Sequence, residues 1–123
     1  MKLKVIAPIL GFDDVEYATI EEIDSYFYSL GYGELVFTLL NPNTIMKYDF
    51  LVPSPFVKSL EIESTDEIEV YNIVTVCKPI EDSTINLLAP LVVNKTKGLM
   101  AQVVLDEGKY PSYGLKESMK NFL

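Results

Sequence analysis

The spacing of turn signals constrains this chain more than any other feature. They fall at Pro8 to Gly11, Gly31-Tyr32-Gly33, Asn41-Pro42-Asn43, Pro53 to Pro55, Lys95 to Gly98 and Glu107 to Pro111. Proline withholds a backbone donor and glycine permits turn geometries, so such clusters punctuate regular structure. The segments between them suit strands better than helices. That spacing predicts a mostly β sandwich or barrel with short helices. At 123 residues the chain is expected to form one domain over 1–123, and 49% hydrophobic residues can build one core without staples.

The clearest strand is Glu67 to Cys77. Ile68, Val70, Val74 and Val76 share one face, interrupted by Asn72, while Glu67, Glu69, Tyr71, Ile73, Thr75 and Cys77 share the other. Leu35 to Leu40 is nearly all apolar, as in a strand covered on both faces. Thr84 to Val93 and Leu99 to Leu105 flank Asn94 to Gly98 and read as a hairpin. Met1 to Ala7 and Tyr48 to Val52 read as further strands, Pro55 to Leu60 as one helical turn, and Leu115 to Leu123 as an amphipathic helix within a 114–123 tail. Residues 17–30 carry two patterns. Thr19 to Glu22 matches a helix capping box, and Ile20, Ile23, Phe27 and Leu30 have helical spacing. Tyr26-Phe27-Tyr28 is strand-like, and Gly31-Tyr32-Gly33 would close a hairpin. Locally, helix is favoured.

Composition removes whole classes of chemistry. The chain has no histidine, arginine or tryptophan. It therefore lacks the usual general base near neutral pH, the commonest transition-metal ligand and the bidentate anion clamp. No catalysis and no cofactor are expected. Cys77 is the one cysteine and cannot form an internal disulfide, which points to a reducing, cytoplasmic setting. The apolar run Leu87 to Val93 is far short of the ~20 residues that span a bilayer, so no membrane association is expected. The net charge of −8 is uneven, at −9 over residues 1–69 and +1 over 70–123. Such a surface repels phosphate backbones and attracts basic partners, so direct nucleic-acid binding is not expected.

Several groups of residues have both a bland and a functional reading. Asp13, Asp14 and Glu16 form a solvated acidic loop, since a calcium site needs about six to eight oxygens. Glu61, Glu63, Asp66, Glu67 and Glu69 read as water-facing, or as a docking face for a basic partner. Lys95 and Lys97 sit at a hairpin tip, and Cys77 reads as a half-buried structural thiol. Tyr48, Phe50, Pro53, Pro55 and Phe56 crowd one loop edge, where they close a core or anchor an interface. Asn86, Pro90 and Asn94 interrupt an apolar stretch and are expected to tie down a turn or bulge.

Taken in order, Ala7-Pro8-Ile9-Leu10-Gly11-Phe12, Leu40-Asn41-Pro42, Tyr48-Asp49-Phe50, Val70 to Val76, Asp82 to Asn94, Gln102-Val103-Val104-Leu105 and Tyr110 resemble the FliW family of flagellar assembly factors. The segment Thr84-Ile85-Asn86-Leu87, with Ala89-Pro90 and Asn94 after it, is the most specific part. The resemblance implies a small antiparallel β barrel or folded-over sheet, and therefore strands at Tyr17 to Glu22 and Tyr26 to Leu30 in place of the local helix. It implies a protein that binds flagellin in the cytoplasm. Once flagellin is exported, such a protein binds the translational regulator CsrA and relieves its repression. Ile45, Tyr48, Phe50 and Phe56 are then candidates for an apolar groove, and Glu61, Glu63, Glu67 and Glu69 for an acidic rim. Asn41, Pro42, Asn86, Pro90 and Asn94 are structural candidates. The rival reading is a small-molecule-binding β barrel or carboxylate hydrolase, which needs two acids such as Asp49 and Glu34 converging in one cavity.

An amide buried in this setting must be hydrogen-bonded, so Asn86 is expected to be largely buried and bonded to backbone. Asn86→Ala should then cost ~1–3 kcal/mol in urea unfolding, and a neutral result would place the amide in solvent.

Overall fold

The chain closes a sheet on itself. The computed structural model describes residues 1–122. Its strands are β1 (Lys2–Ala7), β2 (Tyr17–Glu22), β3 (Phe27–Tyr32), β4 (Leu35–Leu40), β5 (Ile68–Thr75), β6 (Thr84–Ile85), β7 (Leu91–Asn94), β8 (Leu99–Gln102) and β9 (Glu117–Ser118). One short helix, α1 (Ser54–Ser59), precedes β5. Hydrogen bonding runs β4-β3-β2-β1-β8-β7-β5, and β5 returns to β4, so seven strands form a closed barrel. β6 and β9 extend it beside β5. The described pairings are antiparallel except for β1 with β8.

Residues 17–30 are strand, against their local helical pattern. Ala18 and Ile20 point into the barrel, where they join Leu30 and Tyr32 from β3. The link between the strands is an Asx-type turn, in which the Asp24 carboxylate accepts from the N–H groups of Tyr26 (2.8 Å) and Phe27 (2.9 Å). A helix would have aligned Ile23 with the apolar stripe, whereas here Ile23 is exposed. Period-two burial overrides the capping-box pattern because it fills the barrel. At the next turn Gly33 sits at φ +63°, and a Cβ there would meet Val15 Cγ2 at 3.1 Å.

Four further expectations are corrected. Thr84 to Val93 is not one strand, since the chain leaves the sheet after Ile85 and re-enters at Leu91. The Asn86 side chain causes the break by accepting from the Ala89 N–H at 3.0 Å, and Pro90 has no N–H to donate to a ladder. Asn86 is half-buried rather than largely buried, while Pro90 is buried. Tyr48 to Val52 forms no strand. The Asp49 N–H donates to the Tyr113 hydroxyl (3.1 Å) and the Leu51 N–H to the Tyr110 hydroxyl (3.0 Å), so side chains replace a neighbouring strand. The tail is not a continuous helix over 115–123. It makes β9 and then one 3-10 turn, Met119–Phe122, and Leu123 lies outside the described residues.

The barrel interior is packed with side chains. Leu3, Leu30, Leu39, Leu91, Val93 and Met100 meet there, with Tyr32 and Tyr71 filling the ends. A second cluster covers the outside of β7 and β8, where Val92, Leu99 and Ala101 meet Leu60, Phe50 and Phe56. A third covers the outside of β4 to β6 with Tyr48, Leu87 and Met119. β5 is therefore buried on both sides: Tyr71 and Ile73 face inward, while Val70 and Val74 face the third cluster.

Asp66 and Asn94 join the outer cover to the barrel. Asp66 is not water-facing, since its side chain is only 3% exposed. Its Oδ2 accepts from Asn94 Nδ2 (2.9 Å), Lys97 Nζ (2.9 Å) and the Glu63 N–H (3.0 Å). Asn94 also donates to the Leu60 carbonyl at 2.9 Å, which pins the end of α1 to the β7–β8 hairpin. Lys97, Asn94 and the Glu63 N–H hold the Asp66 carboxyl below the ordinary aspartate range. Asp66, despite some desolvation, pushes Lys97 above the ordinary lysine range.

Asn94→Ala leaves a buried carbonyl and a carboxylate short of a donor and should cost about 2–3 kcal/mol by urea unfolding. The Asp66 contribution is complete above its ordinary value of 3.8 and disappears as pH falls through its lower folded value. The Lys97 contribution is complete below 10.5 and disappears as pH rises through its higher folded value. Asp66→Asn should flatten the acid limb of a stability–pH curve. An identical limb in the two proteins would contradict this.

Candidate functional site

The expected aromatic rim does not stand at the surface. Tyr48 is 4% exposed. Its hydroxyl donates to the Leu87 carbonyl and accepts from Asn72 Nδ2 (3.3 Å). Its ring packs 4.6 Å from Tyr113 and 5.5 Å from Phe50. Burial pushes its pKa far above the ordinary tyrosine range, so the phenol stays protonated. Phe50 is half-buried between the second and third clusters, and Phe56 packs on the second from α1. Pro53 and Pro55 flank the first turn of α1. The crowding of aromatics in this stretch is core closure. Tyr113, which makes that closure possible from far along the chain, gave no local signal of its partner.

Of Ile45, Tyr48, Phe50 and Phe56, Ile45 is the one that lines an apolar groove among the described residues. Asn41 caps a 3-10 turn, Pro42–Thr44, by accepting from the Asn43 N–H (3.1 Å), and Pro42 buries itself at its start. This turn sets Ile45 beside Phe27, Leu40 and Met119 in a concavity of about 340 Å³. Tyr26 and Ile80 form its lips, each 52% exposed. Sequence reasoning missed both, because one lies in the ambiguous 17–30 segment and the other in a short 3-10 turn, Ile80–Asp82.

The acidic run collects where the β7–β8 hairpin meets the chain after α1. Glu67 lies 3.4 Å from Lys95 Nζ, and Glu63 lies 3.4 Å from Lys97 Nζ. Glu69 accepts from Asn41 Nδ2 at 3.3 Å. Lys95 and Lys97 are thus more than an ordinary hairpin tip, because they temper this run. Glu61 occupies the left-handed region at φ +52°. It is the C′ residue of α1, with its N–H on the Lys58 carbonyl and the Ile62 N–H on the Val57 carbonyl, a position that glycine occupies most easily. Its own carbonyl accepts from Lys97 Nζ. Glu61, Glu63 and Glu67 remain exposed, and Glu69 is half-buried.

The arrangement has little to offer carboxylate chemistry. Asp49 is exposed beside Lys47 at 3.9 Å, and Glu34 lines a shallow depression with Asp13 and Asp14 at the β3–β4 turn. The structure does not bring Asp49 and Glu34 together, and the packed barrel interior gives them no shared chamber. Among the described residues no cluster of carboxylates and thiol could hold a metal ion, and no helix is long and apolar enough to cross a membrane.

Known proteins share this fold and sequence. A family model described as FliW protein matches residues 2–118. Flagellar assembly factor FliW 2 of Wolinella succinogenes is 38% identical over 125 aligned residues, covering 99% of this chain and 92% of that protein. Flagellar assembly factor FliW 1 of Helicobacter pylori (strain HPAG1) is 39% identical over 123, covering 95% and 90%. A crystal structure of the flagellar assembly factor FliW superposes with a TM-score of 0.85 at 26% identity, covering 95% of this chain and 84% of that one. On a family model matched along nearly its whole length and on relatives this similar, the chain belongs to the FliW family of flagellar assembly factors.

Proposed function

We propose that this protein binds flagellin in the cytoplasm and, once flagellin has been exported, binds a CsrA-type translational regulator and relieves its repression of flagellin synthesis. It works by protein binding, without catalysis or cofactor. The likeness to flagellar assembly factors along almost the whole chain carries the reading.

Charge supports the second half of it. A regulator that binds RNA presents a basic surface. Glu63 and Glu67 pair with Lys97 and Lys95 of the β7–β8 hairpin, with Glu61 and Glu69 close by in the chain, on a protein of net charge −8. Glu61 is the informative member. A side chain in the left-handed region costs of order 1 kcal/mol relative to glycine, so stability alone does not favour an acid there. A role in attracting a basic partner does.

Purified protein, flagellin and regulator suffice for a test. Association with the regulator should slow as salt rises, because the screening length shrinks from ~10 Å at 0.1 M to ~3 Å at 1 M. Replacing Glu61, Glu63, Glu67 and Glu69 together with glutamine should slow it by roughly tenfold at low salt and leave flagellin binding much less changed. Glu61→Gly should keep or raise the thermal midpoint while still slowing association. A regulator on-rate indifferent to both salt and the fourfold change would remove steering by this run. Failure of the wild-type protein to bind either partner would remove the function.

A further inference from the structure

We propose that the groove between Tyr26 and Ile80 seats an amphipathic α-helix whose apolar ridge is flanked by lysine or arginine, an inference that rests on the protein-binding reading above. The groove's chemistry excludes other occupants in turn. A small-molecule site needs several convergent polar groups to orient its ligand. Here the floor is Phe27, Leu40, Ile45, Met119 and Phe122, and the Thr44 hydroxyl already donates to the Asn41 carbonyl at 2.7 Å. An added strand needs an open ladder edge. Over Thr38 to Leu40, the part of β4 that borders the groove, the strand is hydrogen-bonded to β3 on one side and to β5 on the other, so it offers no edge there. What remains is recognition by side-chain packing, for which a helix presenting residues i, i+3, i+4 and i+7 is the ordinary solution.

The surface beyond the groove suits a rod of that kind. Leu30 and Phe37 point into the barrel, so Ser29, Gly31, Val36 and Thr38 face outward by alternation. Ser29 pairs with Thr38 and Gly31 with Val36. Three of these four are small, and they form a low shelf that runs on from Phe27 and Leu40. Val36 ends the shelf at 74% exposure. A helix lying on it would keep its ridge in the groove and approach the sheet closely.

Charge selects the flanks and argues against a second copy. The Asp24 carboxylate is fixed beside Tyr26 by its two turn hydrogen bonds. Glu81 and Asp82 follow Ile80, with Lys78 and Lys120 as the nearby cations, and Lys120 is paired with Asp82 at 3.2 Å. The lip is negative on balance, on a chain of net charge −8. A twofold contact would set two negative lips and two negative proteins against each other, whereas basic flanks meet attraction on both sides.

The probe is an amidated peptide of about 16 residues, long enough to be helical, with a leucine ridge flanked by lysines. A second peptide carries the same ridge flanked by glutamates. The full-length protein should bind the lysine peptide at least tenfold more tightly than the glutamate peptide. The double variant Tyr26→Ser with Ile80→Ser should lose at least tenfold in affinity with its thermal midpoint unchanged, because both side chains are half exposed. Binding of neither peptide, equal binding by the double variant, or a wild-type dimer in sedimentation that the variant abolishes would each overturn the proposal. A flagellin titration separates this inference from the function it rests on. Wild type that binds the lysine peptide but not flagellin keeps the groove and removes flagellin as its occupant. Flagellin binding that survives the double variant intact removes the groove and keeps flagellin as a partner.

Discussion

Closure of the barrel is the constraint from which the rest follows. Once β5 returns to β4 through Thr38 to Leu40, the seven strands form a closed ring, and every inward side chain must fill a narrow interior. That interior is filled by one cluster of mainly leucines, valines and tyrosines. The outer faces of β5, β7 and β8 are apolar as well, so the closed ring still needs covering. The long stretch from Asn41 to Glu67 and the tail after Leu105 provide that cover. Neither is a strand of the ring, and apart from α1, β9 and short 3-10 turns both pack as irregular chain tied down in part by side-chain hydrogen bonds.

Those bonds sit where a polar group is least replaceable. Asn94 links a hairpin of the ring to the carbonyl of Leu60, and Asp66 gathers an amide, an ammonium and a backbone N–H. Asn72 and Tyr48 do the same on the other side, through the carbonyls of Asn86 and Leu87. Each group would be costly to bury alone. Paired, except for the Asn72 Oδ1, which has no partner among the described residues, they fix which loop lies over which strand, something that apolar contacts leave loosely specified.

Much of the ring was legible because hairpins advertise themselves locally. Period-two burial, Gly33 at the β3–β4 turn and Gly98 at φ +68° after Asn94 mark strand pairs within a few residues of each other. Features set by distant residues were not legible. The helix-like spacing of Ile20, Ile23, Phe27 and Leu30 yields to the barrel, which no local window contains. The turn at Asn86 was expected, and its bond to Ala89 makes it, but that the chain leaves the sheet from Asn86 to Pro90 was not legible in the apolar run. Tyr48 and Phe50 look like interface anchors until Tyr113 covers them from 63–65 residues away. At the candidate site, Ile45 and the acids were singled out in the sequence, but the lips of the groove were not. Tyr26 and Ile80 are brought together only by the fold.

The two surfaces singled out above lie on one continuous piece of structure. β5 begins beside the acidic run, with Ile68 opposite Asn94, and ends under the third cluster, with Val74 opposite Thr38 and Ile85. Asn41 joins the same two regions by a second route. Its Nδ2 donates to Glu69, and its Oδ1 caps the turn that carries Thr44 and Ile45 to the groove. A partner that draws Glu69 toward itself therefore pulls on the residue that positions a groove wall. Such a contact can transmit a difference between bound states only if the turn has two arrangements to choose between. The turn meets that requirement better than the ring does. It is a single 3-10 turn with exposed residues at Asn43 and Thr44, set at the end of β4 where Thr38 to Leu40 pair with both β3 and β5. Any coupling between the acidic face and the apolar groove would act through movement of residues 41–45 over a fixed β4 and β5.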